Sequence, residues 1–302
     1  MPVPFIYHPR YSALALPPRH RYPIQKYQLL KAWADAHGAR RSQWVQPAPI
    51  NWQTVATMHA PHYIAELANN RMDKQRWRRI GFPWSEQLLL RTLTSAAGTI
   101  HTAQLALEEG CAIHFSGGYH HAHHDWGSGF CLINDLALAA RAVLDQRPSS
   151  KILIFDTDVH QGDGTATLFA NEPRVTTCSI HGANNFPFTK AVSDVDIELP
   201  KGTTDNDYLE TVDHALRALI EGEQPDLILY DAGVDIYRQD DLGHLSISLN
   251  GIFARDFGVL KLAREQNIPL AAVIGGGYQR KLDRLIRAHA QLLRATYEVW
   301  KA

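Results

Sequence analysis

From residue 90 onward the chain alternates apolar runs of strand length with amphipathic stretches of helix length, and this alternation most narrows what it can fold into. Strands are predicted over 111–115, 151–155, 175–180, 226–230 and 270–274, with helices over 91–109, 134–146, 206–221, 251–266 and 281–300. The pattern is that of an α/β domain with a central, mostly parallel sheet flanked by helices. Earlier, 3–7 reads as a first strand and 23–37 as a helix, whereas 40–90, rich in Trp, Pro and Arg, reads as surface loops. No composition shift, repeat or low-complexity linker divides the chain, so a single domain over 1–302 is expected.

Composition removes several function classes. Hydrophobic residues at 45% and charged residues at 20% suit a soluble globular chain, and a net charge of -1 argues against a nucleic-acid backbone as direct partner. No apolar run approaches the roughly 20 residues that span a bilayer, and no export signal opens the sequence, so no membrane partner is expected. Cys111, Cys131 and Cys178 are odd in number and sit in apolar contexts, which fits reduced core thiols and a cytoplasmic protein. The 16 histidines, several beside Asp and Gly in expected loops, direct attention to metal or proton-transfer chemistry.

The conspicuous polar residues fall just after the expected strands, where ligands of open parallel sheets bind. Asp156-Thr-Asp158-Val-His160-Gln-Gly-Asp163 alternates carboxylates and an imidazole, so in extended backbone three ligand types share one face. Solvated loop residues or a helix cap would be the plain reading, but Asp235 after another apolar strand offers a further hard ligand. Asp158, His160 and Asp235 thus form a three-ligand set of the kind catalytic zinc uses with its fourth position open. Two carboxylates leave the metal less positive and call for a separate general base, for which adjacent His120 and His121 are candidates. Asp156 and Asp163 are then free to orient those rings. His123 and His124 read as solvent-facing. Tyr278, after Gly275-Gly-Gly, is either a core aromatic or a hydroxyl donor to an oxyanion opposite the metal.

With these motifs in hand, the chain resembles the zinc-dependent histone deacetylase family over nearly its whole length. The resemblance rests on Gly-Gly-Tyr-His120-His121-Ala, Ser128-Gly-Phe130-Cys-Leu-Ile-Asn134-Asp, Asp156-Thr-Asp158-Val-His160-Gln-Gly-Asp163-Gly, Asp235 and Gly-Gly-Gly-Tyr278. Tyr-His-Pro-Arg10-Tyr11, Leu242-Gly-His-Leu-Ser-Ile-Ser and Gly-Gly-Tyr-Gln279 look most like class IV members and their bacterial relatives. The resemblance implies an arginase/deacetylase-like fold and zinc on Asp158, His160 and Asp235. It pairs Asp156 with His120 and Asp163 with His121, and makes Tyr278 the residue that polarises the scissile carbonyl. His121 would serve as base and then as acid toward the leaving amine, with His120 electrostatic. Structural potassium is implied on the side chains of Asp156, Asp158 and Ser179 and the carbonyls of His160 and Ile180. Gly129, Phe130 and Phe186 would wall an acyl-lysine channel. Two positions depart from the common pattern: Gln161 follows the ligand histidine where a second His is frequent, and Tyr119 replaces a common Trp. Class IV relatives often prefer long acyl chains, and the sequence leaves acyl length open.

The expected partner is therefore an acylated lysine in a peptide or protein, or another acylated amine. An acetylpolyamine amidohydrolase is the nearest alternative, for which an acidic rim would be expected, whereas Arg71–Arg79 carries five cations against one acid. A binuclear manganese ureohydrolase would use Asp231, Asp235, Asp240 and Asp241 but leaves His-His and Gly-Gly-Gly-Tyr without a role. A silent acyl-lysine binding module is disfavoured because every residue with an assigned chemical role is present.

Overall fold

The computed structural model describes residues 2–300. Its strands are β1 (Phe5–Ile6), β2 (Trp44–Val45), β3 (Cys111–His114), β4 (Ile152–Asp156), β5 (Val175–Gly182), β6 (Val195–Leu199), β7 (Leu227–Asp231) and β8 (Leu270–Val273). They form one all-parallel sheet in the order β2-β1-β3-β8-β7-β4-β5-β6. The central runs Ile-Leu-Ile-Phe-Asp and Leu-Ile-Leu-Tyr-Asp are buried at every position, as a parallel sheet covered on both faces requires.

Among the described residues the α-helices are α1 (Lys26–Ala36), α2 (Trp52–Val55), α3 (Pro61–Ala68), α4 (Lys74–Ile80), α5 (Glu86–Glu109), α6 (Asp135–Gln146), α7 (Asp163–Phe169), α8 (Asp205–Glu223), α9 (Leu249–Glu265) and α10 (Leu282–Trp300). Local sequence sets their ends. Ser85 accepts the Leu88 N–H and Asn134 the Ala137 N–H as N-caps, while Gly110 leaves α5 in the left-handed conformation that glycine tolerates.

Two regions differ from the sequence reading. Residues 40–90 are not surface loops: they hold β2, α2, α3 and α4, and they bury Tyr63, Leu67, Ile80 and Phe82. Helices of four to eight residues are too short to build a periodic pattern, and their stability comes from packing. β6 was also absent from the expected strands, although Val195, Ile197 and Leu199 alternate with Asp196 and Glu198. Its acidic residues suit the sheet edge it occupies. The three cysteines are buried free thiols, and no helix among the described residues is long and apolar enough to cross a membrane.

His59 ties the segment before α3 to the core. Its Nδ1–H donates to the His123 carbonyl at 2.8 Å, and its Nε2 accepts the Asn134 N–H at 3.0 Å, so only the neutral ring fits. Burial pushes its pKa down to about 4, and burial likewise pushes His114 down to about 3. Their stabilisation is therefore complete above the ordinary histidine value and is lost as pH falls below it, because the unfolded chain takes up protons the fold refuses. From pH 6.5 to 5 each ring should remove about 1.5 kcal/mol of stability. Urea midpoints at the two pH values should fall accordingly, with a shallower fall in His59→Asn; an equally steep fall in that variant would remove His59 from the account.

Candidate active site

The four polar loops follow β3, β8, β7 and β4, which are neighbours in the sheet, so their carboxyl ends open onto one crevice. There the carboxylates of Asp158 and Asp235 converge on Nδ1 of His160, at 3.0 and 3.1 Å. All three side chains are buried, and their ligand atoms lie within 4.8 Å of one another. Glycine makes the convergence possible: a Cβ on Gly276 would lie 2.2 Å from Asp235 and 2.3 Å from Asp158. The Gly276 N–H instead donates to Asp158 at 2.8 Å.

The three groups shift one another's titration. Against the burial that lowers it, the bonds to Asp158 and Asp235 push the His160 pKa up to about 10. Burial and then the Asp158 charge push Asp235 up to about 7, whereas the bond to His160 holds Asp158 well below the carboxylate range despite burial. Two buried carboxylates and one imidazole nitrogen aimed at a common point match a metal donor set of mixed N and O.

Beside this group lie the tandem histidines. His120 Nδ1 meets Asp156 at 2.7 Å, and His121 Nδ1 meets Asp163 at 2.7 Å, the pairing that the family resemblance implies. The two rings nonetheless differ. Although burial opposes it, Asp156 holds His120 well above the ordinary histidine value, while burial and then the charge of His120 push His121 down to about 4. His123 departs from expectation. It is buried, stacks on Trp126 at 3.7 Å and sends Nε2 to Asp163 at 3.1 Å, so Asp163 is braced by two imidazoles. His124 is exposed as expected.

The loop carrying the pair is fixed from behind by Asp135, which accepts the N–H groups of Tyr119 at 2.7 Å and Gly118 at 3.2 Å. Asn134 donates to the Ala122 carbonyl at 3.2 Å. Tyr278 sits 6.1 Å from the His160 ring and 5.8 Å from Phe130, between ring centroids, and its N–H donates to Asp240 at 2.7 Å. Phe130 and Phe186 face the site from two sides, Phe186 with its ring 4.8 Å from His121. With Gly129 and Tyr278 they line a channel of about 260 Å³ that opens beside Phe188, which is 93% exposed. Ser179 stands opposite Asp156 in the β4–β5 register, next to Ile180. Gln161 is structural, bonding Asp196 at 2.7 Å and the Ala191 backbone. The Arg71–Arg79 run forms most of α4, and the carbonyls of Arg79 and Ile80 accept the N–H groups of Gly129 and Phe130.

Several participants escaped the sequence reading. Lys26 is buried, donates to the Gly275 carbonyl at 2.8 Å and has its pKa lowered to about 8 by burial. Its spacing of four and eight from the buried Leu30 and Ala34 is the signal that it faces inward. Arg91 is likewise buried among Tyr22, Tyr27 and Tyr119. Asp231 forms a second potential metal group with His120 and Asp156, and neither of its oxygens meets a hydrogen-bond partner among the described residues. Burial and then Asp156 hold its carboxyl well above the usual range.

The histone deacetylase domain matches residues 20–294. The chain belongs to the histone deacetylase family. It is 38% identical over 192 residues to histone deacetylase 2 of Arabidopsis thaliana, covering 63% of this chain and 50% of that protein. It is 33% identical over 259 residues to the acetoin utilization protein AcuC of Staphylococcus aureus (strain Mu50), covering 78% and 66%. The chain thus spans about half the length of the plant histone deacetylase. An uncharacterized protein of Picosynechococcus sp. is 42% identical over 99% of this chain and all of its own length. In fold the chain is similar to an HDAC homolog complexed with SAHA, with a TM-score of 0.84 at 23% identity over 99% of this chain and 84% of that one. It is also similar to the acetylpolyamine aminohydrolase of Burkholderia pseudomallei, with a TM-score of 0.80 at 22% identity over 98% and 99%. As a histone deacetylase family member it is a hydrolase acting on amide bonds.

Proposed function

We propose that this chain is a one-zinc lysine deacylase that hydrolyses the acyl amide of a modified lysine in a peptide or protein. The observation that carries this reading is the convergence of Asp158 and Asp235 on His160 Nδ1 at the foot of an aromatic channel, with His121 and Tyr278 beside it. Asp158, His160 and Asp235 would hold the zinc, which supplies Lewis acidity to the scissile carbonyl and to a water. Potassium would sit on Asp156, Asp158, Ser179 and the His160 and Ile180 carbonyls.

The chain's own groups then divide the work. His121, neutral near pH 7, has Nδ1–H held by Asp163 and Nε2 free to take a proton from the attacking water. As the water oxygen bonds to the amide carbon, the Tyr278 phenol donates to the developing oxyanion. The carbon–nitrogen bond breaks when His121 returns its proton to the leaving amine. His120 keeps its proton on Asp156 and stabilises the negative charge.

A peptide substrate is favoured over a polyamine because the acids flanking the channel are already engaged. Asp240 accepts the N–H groups of Tyr278, Leu242 and Gly243, and Asp241 lies 3.7 Å from Arg280. The rim offers apolar Phe188 in place of free carboxylates. Chelator-stripped protein titrated with zinc in potassium buffer should regain acetyl-lysine peptide turnover at one equivalent of metal. Recovery only at two equivalents of manganese would point to binuclear chemistry, and turnover of acetylated polyamines without peptides would move the substrate to small amines.

A further inference from the structure

We propose that this site accepts only short acyl groups, of formyl or acetyl size, and that Tyr22 is the partition that sets the limit. The inference rests on the acyl-lysine reading of the site. Beneath the channel lies an inner cavity that shares His121, Gly129, Phe130 and Tyr278 with it. A substrate whose lysine methylenes fill the channel and whose carbonyl lies between His121 and Tyr278 has only this cavity for the rest of its acyl group. The cavity measures about 10 Å³, close to the space for one water-sized group. Tyr22, Lys26, Tyr119 and Cys131 close it.

The wall is held in place. The Tyr22 hydroxyl bonds that of Tyr27 and receives Arg91 at 3.2 Å, while the Tyr119 hydroxyl receives Arg91 at 3.0 Å and meets Ser116 at 3.0 Å. All of these groups are buried, so swinging Tyr22 aside would leave the Tyr27 hydroxyl without its partner and take one of its acceptors from the Arg91 guanidinium. The Tyr22 ring also packs edge-on against Phe82 at 4.8 Å and against Phe130 at 5.2 Å. A second pocket of about 310 Å³, lined by Arg19, Arg21, Ile24, Gln279 and Leu282, also has Tyr22 in its wall. Tyr22 lines both spaces. Removing its ring would join the small cavity to the large one and give a longer chain a way out.

The experiment compares kcat/KM of the zinc-loaded full chain on one peptide carrying formyl, acetyl, butyryl, octanoyl or myristoyl lysine. Wild type should favour acetyl over octanoyl by at least about 100-fold, the scale of forcing extra methylenes into a closed core. Tyr22→Ala should raise the octanoyl-to-acetyl ratio at least about tenfold, Tyr22→Leu should raise it less, and Tyr22→Phe, which keeps the ring, should leave the ratio near wild type. Comparable acetyl and octanoyl rates in wild type would overturn the proposal with the deacylase reading intact, and this arm needs no variant to fold. A folded Tyr22→Ala or Tyr22→Leu with an unchanged ratio would overturn the role of Tyr22. Failure of the zinc-loaded wild type on every acyl peptide would instead overturn the deacylase reading.

Discussion

Tyr278→Phe should lower acetyl-lysine peptide turnover by at least about 100-fold while zinc content and melting temperature stay close to wild type. Burial, followed by the charges of Asp158 and Asp235, holds the phenol well above its ordinary value, so it remains a donor throughout the working pH range. Its backbone is fixed independently of the hydroxyl by the N–H bond to Asp240, and its ring lies against Phe130, which phenylalanine preserves. The substitution therefore removes one hydrogen-bond donor and little else. The loss should appear equally in kcat and kcat/KM, because the bond strengthens as the oxyanion develops. Near-normal turnover would take Tyr278 out of the mechanism.

His121→Ala should be at least as damaging, with a loss of about 100- to 10,000-fold, the span that a positioned general base contributes. The structure distinguishes it from its neighbour. Burial and the adjacent His120 charge keep His121 neutral, with one nitrogen committed to Asp163, whereas Asp156 holds His120 protonated. His120→Ala should accordingly cost less than His121→Ala at neutral pH. Fold should survive His121→Ala, since Asp163 retains its bond from His123. Single-turnover rates at saturating peptide would separate a chemical loss from a binding loss, and an active His121→Ala would require a different base.

Most of the sheet was legible because its central strands are uninterrupted apolar runs separated by amphipathic helices, a pattern with few alternative folds. The loops carrying Asp158, His160, Asp235 and Tyr278 were legible for a related reason: each begins where such a run ends, and parallel strands put those ends on one side. What stayed hidden depends on burial that no local pattern announces. His123 reads as one more polar loop residue, yet Trp126 covers it and Asp163 engages it. Arg91 opens the helix expected over 91–109 with nothing to mark it as buried, yet Tyr22, Tyr27 and Tyr119 enclose it. The short helices α2, α3 and α4 stayed hidden because each spans little more than two turns at most, about the length at which an amphipathic repeat first becomes visible.

The strand order has a consequence for how the molecule comes together. β8 is the last strand in chain order, yet it lies between β3 and β7, with β3 preceding it by more than 150 residues and its own exit loop supplying Tyr278. During synthesis the earlier strands can gather only as two separate groups, each offering an unpaired inner edge until the final segment slots between them. Sheet closure and the placing of Tyr278 thus arrive in one late event, and a nascent chain stalled before residue 270 would carry two sticky edges and lack the proposed oxyanion donor.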